Sequence, residues 1–337
     1  MKTKFKILIG IACATGIAVG VASYLLFSSP FSIEKTQYVY IDSDDDVDSV
    51  STKIETVAHP STMLGFDLMR LVKRYKPRTG KYAIEPGASM YTLVRQLGNG
   101  IQVPVNVTIP TTRTIPQLIG RVSKQLMMDS LALANEVFND KTLDLGYTQE
   151  TLPCLFLPNT YEVYWDITPE KLVKRLQKER DNFWNDKRKA QAKETGMTPE
   201  EVTTLASIVE SETNYSPEKA RVAGLYINRL KKGIKLQSDP TVIFATGDFT
   251  IRRVLQSHLS TDSPYNTYLY MGLPPGPIRI PSVEGIEAVL NHEKNDYIYM
   301  CAKEDFSGSH NFATDYGTHM ANARRYQQAL NARGIKK

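Results

Sequence analysis

The segment TPEEVTTLASIVESETNY, residues 198–215, carries the signals for a helix with a defined start and a buried face. Thr198 can cap this helix, Pro199 suits its first turn, and Glu201, three residues after the cap, completes a capping box. Apolar residues then recur at three- and four-residue spacing, at Val202, Leu205, Ile208 and Val209. They form one stripe, which we expect to face a core.

The carboxyl that continues this stripe is Glu212, four residues after Ile208 and three after Val209. Glu210 falls on the flank instead, about 160° away on a helix that turns roughly 100° per residue. A carboxyl on a buried stripe loses hydration, which raises its pKa and suits a general acid. A helix-end glutamate bonded to solvent or to a backbone amide is the alternative, and this segment taken alone favours it.

The composition indicates a largely globular chain with room for two domains and an anchor. It has 337 residues, of which 42% are hydrophobic and 23% charged. The net charge is +5, and the basic residues are spread along the chain, a pattern that argues against nucleic-acid binding. The cysteines are Cys13, Cys154 and Cys301, without the spacing of a zinc site, and a Cys154–Cys301 disulfide would need an oxidising compartment.

The N-terminus predicts a membrane anchor. Lys2, Lys4 and Lys6 precede residues 7–27, which carry no charge. A helix of this run spans about 30 Å, the thickness of a bilayer's hydrocarbon core. Residues 20–22 loosely match a signal-peptide cleavage site, but the apolar run continues past them, which favours a retained helix. The lysines place the N-terminus in the cytoplasm and the remaining chain outside.

Residues from Gln37 to about Gly100 have the pattern of a small α+β module. We interpret the acidic residues 44–46 as a solvated turn after a first strand. The predicted elements are strands at 38–41, 80–84 and 103–109, a helix ending near Pro77, a helix capped by Ser89 and running to Leu97, and a helix over 114–126.

The second half of the chain opens with the aromatic segment LFLPNTYEVYW, residues 155–165, which suits a core strand or a sugar-stacking floor. Helices are predicted from 169 to about 184 and over 224–230. The segments that follow read as loops rich in amides, hydroxyls and tyrosines, groups that bond to and stack on polyol ligands. They are LQSDPTV (236–242), with Asp239 extended before Pro240, SPYNTY (263–268), GLPPGPI (272–278) and GSHNF (308–312).

The motifs IVESET, YINRL, LQSDPTV, SPYNTY, GLPPGPI and SHNF, in this order, resemble the MltG (YceG-like) family of endolytic murein transglycosylases. The resemblance covers most of the chain outside the anchor. KYAIEPGASMYTLVRQLGNG resembles the family's LysM-like module, and FLPNTYEVY resembles the phrase that opens its catalytic domain. The family more often has aspartate at the position of Asn159, so no role is carried over to that residue.

The resemblance and the pattern together predict an α+β chain with an N-terminal transmembrane helix, a small LysM-like α+β module and a mixed α/β catalytic domain. The expected boundaries are a cytoplasmic tail at 1–6, the transmembrane helix at 7–27, the LysM-like module at 37–109, a connecting helical segment at 110–150 and the YceG-like catalytic domain at 151–332. The resemblance implies a bacterial inner-membrane anchor, a periplasmic catalytic domain and peptidoglycan glycan strands as substrate. Cell-wall synthases or division machinery are candidate partners.

The family's [IV]E-x-E-T phrase makes its second glutamate catalytic, which corresponds to Glu212 here. Such an enzyme cleaves the β-1,4 bond between MurNAc and GlcNAc of nascent strands, and the C6 hydroxyl of the muramic acid closes a 1,6-anhydro end, limiting glycan elongation. One carboxyl suffices to donate the proton and then to accept it. The residues expected to bind substrate are Gln237, Asp239, Tyr265, Asn266 and Tyr268. No metal or organic cofactor is implied.

Two other functions remain open at this point. A two-carboxylate muramidase would use Glu212 as the acid and Asp239 or Glu210 as its partner. A membrane-anchored scaffold would bind peptidoglycan without cutting it.

Overall fold

The computed structural model describes residues 2–73 and 76–334, and mixes many helices with short strands. The helices are α1 (Lys2–Phe27), α2 (Val47–Ala58), α3 (Leu64–Lys73), α4 (Met90–Asn99), α5 (Ile115–Ser123), α6 (Ser130–Val137), α7 (Asp140–Leu143), α8 (Pro169–Phe183), α9 (Asp186–Thr195), α10 (Pro199–Glu212), α11 (Lys219–Lys231), α12 (Asp239–Thr246), α13 (Gln256–Leu259), α14 (Val283–Leu290) and α15 (Tyr316–Ala332). The strands are β1 (Gln37–Ile41), β2 (Gly80–Ile84), β3 (Val105–Ile109), β4 (Asn159–Val163), β5 (Tyr299–Ala302) and β6 (His310–Ala313). Two 3₁₀ helices cover Leu152–Leu155 and Ser216–Glu218.

The chain divides into two compact units. The first comprises Met1–Val107, Gln125–Met128 and Tyr161–Thr168. The second comprises Thr108–Lys124, Asp129–Thr160 and Pro169–Lys337. The LysM-like module and the catalytic domain, with the boundaries given above, remain predictions.

Helix α1 is long and apolar enough over Thr3–Phe27 to cross a membrane. Its apolar side chains are exposed along nearly the whole length, as those of a lipid-facing helix are. Its last turn packs against α3 and α4, where the rings of Phe27 and Tyr91 lie 5.1 Å apart. These features fit an anchored protein.

The first unit is built on the antiparallel pair β1–β2, in which Gln37 pairs with Ile84 and Ile41 with Gly80. The predicted strand at 80–84 and the Ser89 cap are confirmed, since Ser89 Oγ accepts from the backbone N–H of Thr92 at 3.2 Å. Helix α2 was not predicted. Residue Asp46, interpreted above as part of a solvated turn, caps it by accepting from Ser49 N–H at 2.8 Å.

Helix α10 is central to the second unit. Its capping box is confirmed: Thr198 Oγ1 accepts from Glu201 N–H at 3.2 Å, and Glu201 Oε2 accepts from Thr198 N–H at 2.8 Å. The expected stripe does face the core, but burial extends around the helix to every residue from 202 to 210. Packing against α9, α11, α12 and α14 covers the helix on several sides. Hydroxyls such as Thr203 Oγ1 bond to the helix's own carbonyls, so polar residues are buried without losing a partner.

Three local predictions differ from the structure. Asp239 is not extended but starts α12, because a proline in a first helical turn removes an N–H that has no intrahelical partner. The GSHNF segment is not wholly a loop, since His310–Ala313 forms β6 and pairs with β5. The helix expected over 114–126 ends at Ser123.

Cys154 and Cys301 are free thiols, so no disulfide joins them.

Candidate active site

Glu212 is the last residue of α10, and its partly exposed carboxyl is held by two hydroxyl groups. Tyr226 on α11 donates its phenolic hydrogen to Glu212 Oε1 at 2.7 Å, and Ser238 Oγ donates to the same oxygen at 2.5 Å. Within the described part of the chain, Glu212 Oε2 accepts no hydrogen bond. One oxygen is therefore fixed, and the other is left for a proton or a ligand.

The environment of Glu212 favours its protonated form. Burial raises the pKa of this carboxyl above its usual value, and this effect outweighs the hydrogen bonds from Ser238 and Tyr226, which lower it. The negative charge of Asp239 raises the pKa further, whereas His310 lowers it. The net result is a carboxyl that keeps its proton to higher pH than an exposed glutamate does.

The backbone around Ser238 explains how its hydroxyl reaches Glu212. Gln237 has a left-handed conformation, with φ of 51°, which is uncommon for a residue other than glycine. Thr267 accepts hydrogen bonds from two successive backbone amides. Gln237 N–H donates to the Thr267 carbonyl at 3.1 Å, and Ser238 N–H donates to Thr267 Oγ1 at 3.0 Å. The buried Thr241 hydroxyl lies 2.8 Å from the Thr267 hydroxyl and completes the support. Backbone strain of this kind is common at functional sites.

A cavity of about 420 Å³ opens beside Glu212 and is lined by three of the five residues predicted to bind substrate. Gln237, Asp239 and Tyr268 line it. Tyr268 donates its hydroxyl hydrogen to Asp239 Oδ1 at 2.7 Å, and Arg229 donates to Gln237 Oε1 at 2.6 Å. We call this space the Asp239 cavity.

One wall of the Asp239 cavity is aromatic. Tyr299 from β5 and His319 from α15 stack with ring centroids 5.1 Å apart and planes 19° from parallel. Tyr316 also lines this wall. Flat rings beside hydroxyl and amide groups are the surface that a sugar ring can stack on and bond to.

Glu212 also lines a second cavity, of about 520 Å³, which we call the Ser309 cavity. Its lining includes Asn214, Phe306 and Ser309. The two cavities share Glu212, Ala302 and His310 in their walls. The carboxyl therefore lies where the two spaces meet.

His310 is positioned beside Glu212 by a buried carboxylate that the sequence interpretation missed. Glu218, only 5% exposed, accepts from the His310 backbone N–H at 3.0 Å, and its Oε1 lies 2.6 Å from the ring Nδ1. A hydrogen bond at Nδ1 fixes the orientation of the ring. The SHNF motif was the available signal, but nothing in the local sequence pointed to Glu218, which lies 92 residues earlier.

Two predicted substrate-binding residues lie outside the walls of both cavities. Asn266 is fully buried, donates to the carbonyls of Leu259 and Thr261, and accepts from the Tyr268 N–H. Tyr265 packs its ring against Phe244, with centroids 4.6 Å apart. We infer that both residues organise the loop that carries Tyr268.

Glu210, which falls on the flank of the predicted stripe, is only 8% exposed and lies in a cluster of bonding partners. It accepts from Ser282 N–H at 3.0 Å and from the Ser282 hydroxyl. Lys219 Nζ lies 3.6 Å and Arg279 Nε 3.9 Å from its oxygens. Lys219 and Arg279 balance the charge of this carboxylate, and Ser282 satisfies its hydrogen bonds, as in a structural ion pair.

Sequence comparison places the chain beside a known family. The model of the YceG-like family matches residues 39–325. A Bacillus subtilis protein named endolytic murein transglycosylase is 28% identical over 251 residues, which cover 68% of this chain and 68% of that protein. A Streptococcus pneumoniae (serotype 2) protein of the same name is 27% identical over 308 residues, which cover 81% of this chain and 56% of that protein. The chain thus spans little more than half of the pneumococcal relative.

A crystal structure of a YceG-like protein from Listeria monocytogenes has the same general fold. The superposition covers 86% of this chain and 99% of that one, with a TM-score of 0.57 and 24% sequence identity.

Proposed function

Because this chain belongs to the YceG-like family, we propose that it is a peptidoglycan lytic transglycosylase. The reaction is cleavage of the β-1,4 bond between MurNAc and GlcNAc, with formation of a 1,6-anhydro-MurNAc end. The relatives named endolytic murein transglycosylase support the reaction class. The observation that carries the assignment to a residue is Glu212, a carboxyl of raised pKa at the junction of two cavities.

Glu212 acts as the general acid. Breaking a glycosidic bond needs a proton on the leaving oxygen while positive charge develops on the sugar ring. The raised pKa of Glu212 keeps that proton in place to higher pH than in an exposed glutamate. Because Tyr226 and Ser238 both donate to Oε1, the proton belongs on Oε2, the oxygen left for the substrate.

The same carboxyl then serves as the base. After the bond breaks, Glu212 is a carboxylate, and it accepts the proton of the C6 hydroxyl as that oxygen attacks the anomeric carbon. The nucleophile and the electrophile belong to one sugar, and such intramolecular reactions reach effective molarities of about 10⁵–10⁸ M when well aligned. The hydroxyls on Oε1 stabilise the carboxylate between the two steps.

The two cavities suit an enzyme that cuts within a strand. A bound glycan must extend in both directions from the broken bond if it is cut internally. Glu212 lines both the Asp239 cavity and the Ser309 cavity, and we propose that each holds the strand on one side of the broken bond. We assign the binding of one side of the strand to Gln237, Asp239 and Tyr268, with Tyr299 as a stacking surface.

A muramidase is the second candidate, because Asp239 lines the same cavity as Glu212 and its charge raises the Glu212 pKa. A hydrolase would use this second carboxylate to activate water or to attack the sugar. Tyr268 already bonds to Asp239, which suits a binding role. Glu210 is a poorer partner for Glu212, since Lys219, Arg279 and Ser282 surround it.

Mass spectrometry of the products separates these functions. Wild-type protein should release fragments with 1,6-anhydro ends from purified peptidoglycan, and Glu212→Gln should release almost none while still binding it. Fragments with reducing ends would make the protein a hydrolase. Binding of peptidoglycan without any fragments from wild type would make it a scaffold.

We also propose where the reaction occurs. Helix α1 supports a single-pass anchor in the bacterial inner membrane, and the N-terminal lysines favour a cytoplasmic N-terminus. The catalytic domain then lies in the periplasm, where nascent glycan strands are its substrate and cell-wall synthases or division proteins are its candidate partners. We also propose that residues 37–109 form a LysM-like module that binds glycan.

A further inference from the structure

Helix α3, Leu64–Lys73, is apolar on two faces. Its inner face buries Phe66 and Met69 in the core of the first unit. Its outer face exposes Leu64 by 60%, Leu71 by 76% and Val72 by 71%. An amphipathic surface helix normally presents polar residues on that side.

The outward residues form a continuous stripe. Leu64 and Leu68 are four residues apart, and Leu71 and Val72 follow at the next turn, so all four share one side of the helix. Leu68 is partly exposed, which joins the two ends of the stripe. Contiguous exposed apolar surface of this kind marks a place where another apolar phase is bound. We call these four residues the α3 stripe.

The end of α1 lies directly beside α3. This contact points to the lipid bilayer as the apolar phase that the α3 stripe binds. Gly65 approaches α1 so closely that a Cβ there would lie 2.4 Å from the Leu25 carbonyl oxygen. Leu25 belongs to the last turn of the candidate membrane-spanning helix, and the proposed anchor would put it near the bilayer boundary. Leu64, the first residue of the α3 stripe, is the neighbour of Gly65, so the stripe begins at this contact with α1.

Charge on the sequence after the stripe matches a lipid surface. Lys73, Arg74, Lys76 and Arg78 fall within six residues of sequence. Basic residues that follow an apolar helical face are typical of segments that lie on anionic lipids. On α3 itself Arg70 pairs with Asp48 at 2.6 Å, which keeps the charged groups at the side of the stripe.

We propose that the α3 stripe inserts into the bilayer interface next to the end of α1, so that the first unit is held on the membrane by two elements. The second contact fixes the orientation of this unit at the membrane surface, which a single spanning helix alone leaves free to rotate. This inference rests on the membrane anchor of the proposed function and not on the reaction.

Tryptophan fluorescence of the full chain in lipid nanodiscs tests the proposal. Leu71→Trp adds an indole on the stripe, at a surface position where the larger ring displaces no core residue. Two further variants give the limits: Ile17→Trp lies in the middle of α1, and Asp44→Trp lies in the exposed acidic turn. Wild-type fluorescence from Trp165 and Trp184 is subtracted from each. The quenchers are lipids with bromine at a shallow or at a deep position of the acyl chain.

The proposal predicts that L71W is quenched strongly, and more by the shallow bromines, whereas I17W is quenched more by the deep ones. D44W should be quenched little by either. Quenching of L71W no greater than that of D44W would overturn the proposal. Absence of quenching in I17W would show that α1 does not span the bilayer, and the inference would then fall together with the anchor, leaving the reaction untouched.

Discussion

Replacing Glu210 and Glu212 singly by glutamine should have different consequences for stability and activity, although only Ser211 separates the two residues. Glutamine keeps the shape of glutamate but carries no negative charge and transfers no proton. Glu210→Gln removes the charge from a buried cluster with Lys219, Arg279 and Ser282. Glu212→Gln removes a proton donor whose charged form burial disfavours. We therefore expect the first change to reduce stability and the second to reduce activity.

The size of the Glu210 effect follows from its contacts. The carboxylate accepts from both the N–H and the hydroxyl of Ser282 and lies 3.6 Å from Lys219 Nζ. A hydrogen bond to a charged group contributes about 1.5–3 kcal/mol, and glutamine, with a single acceptor oxygen, loses one such bond. Lys219 keeps Glu284 at 2.7 Å, which limits further loss. For a domain of about 150–250 residues this loss lowers Tm by roughly 3–12 °C.

The expected effect on stability is the opposite for Glu212→Gln. Its pKa is raised in the folded protein, so the folded state holds more protons than the unfolded chain between the two pKa values. Stability therefore falls as pH rises from the ordinary glutamate pKa through the raised one, and Glu212→Gln removes that fall. Its Tm should match wild type in acid and equal or exceed it at neutral pH. Its activity should fall by about 10²–10⁴, the usual contribution of general acid–base catalysis.

Differential scanning calorimetry and release of peptidoglycan fragments, measured on both variants and wild type, check the pair. Glu210→Gln is assayed at a temperature where calorimetry shows it folded. A folded but inactive Glu210→Gln beside an active Glu212→Gln would refute the assignment of roles. An unchanged Tm in Glu210→Gln would refute the structural role of its ion cluster.

Three further results are expected. Wild-type activity should decline as pH rises through the raised pKa of Glu212; Ser238→Ala removes a hydrogen bond that lowers this pKa, so its decline should come at higher pH, and an unmoved pH profile would contradict the contact. Glu218→Gln should lower kcat in a folded protein because the ring of His310 loses its orienting carboxylate, and full activity would remove His310 from the site. A reporter active only in the periplasm, fused after Lys337, should be active, whereas a silent but expressed fusion would reverse the proposed topology.

Local signals predicted local structure well. The capping box of α10 and the Ser89 cap of α4 each depend on residues within four positions, so a short segment contains all the information. The β2 strand was readable for the same reason. Helical periodicity also selected Glu212, whose desolvation and raised pKa agree with the expectation.

Contacts between distant parts of the chain could not be predicted in this way. Glu210 is buried because Ser282, 72 residues later, returns to it, and the Glu218–His310 pair joins residues 92 positions apart. Asn266 looked like a ligand group because loops and sugar sites use the same amides, and only the fold places it inside. The pattern of α3 likewise contained two apolar faces without indicating which one faces the core.

The fate of water in the reaction tests the central claim most directly. Purified wild-type protein would digest peptidoglycan in H₂¹⁸O, and mass spectrometry would read the new chain ends. If Glu212 alone transfers the proton and the C6 hydroxyl is the nucleophile, the ends are 1,6-anhydro-MurNAc and contain no heavy oxygen. Reducing ends that carry ¹⁸O would contradict the account and make the protein a hydrolase with a second catalytic carboxylate.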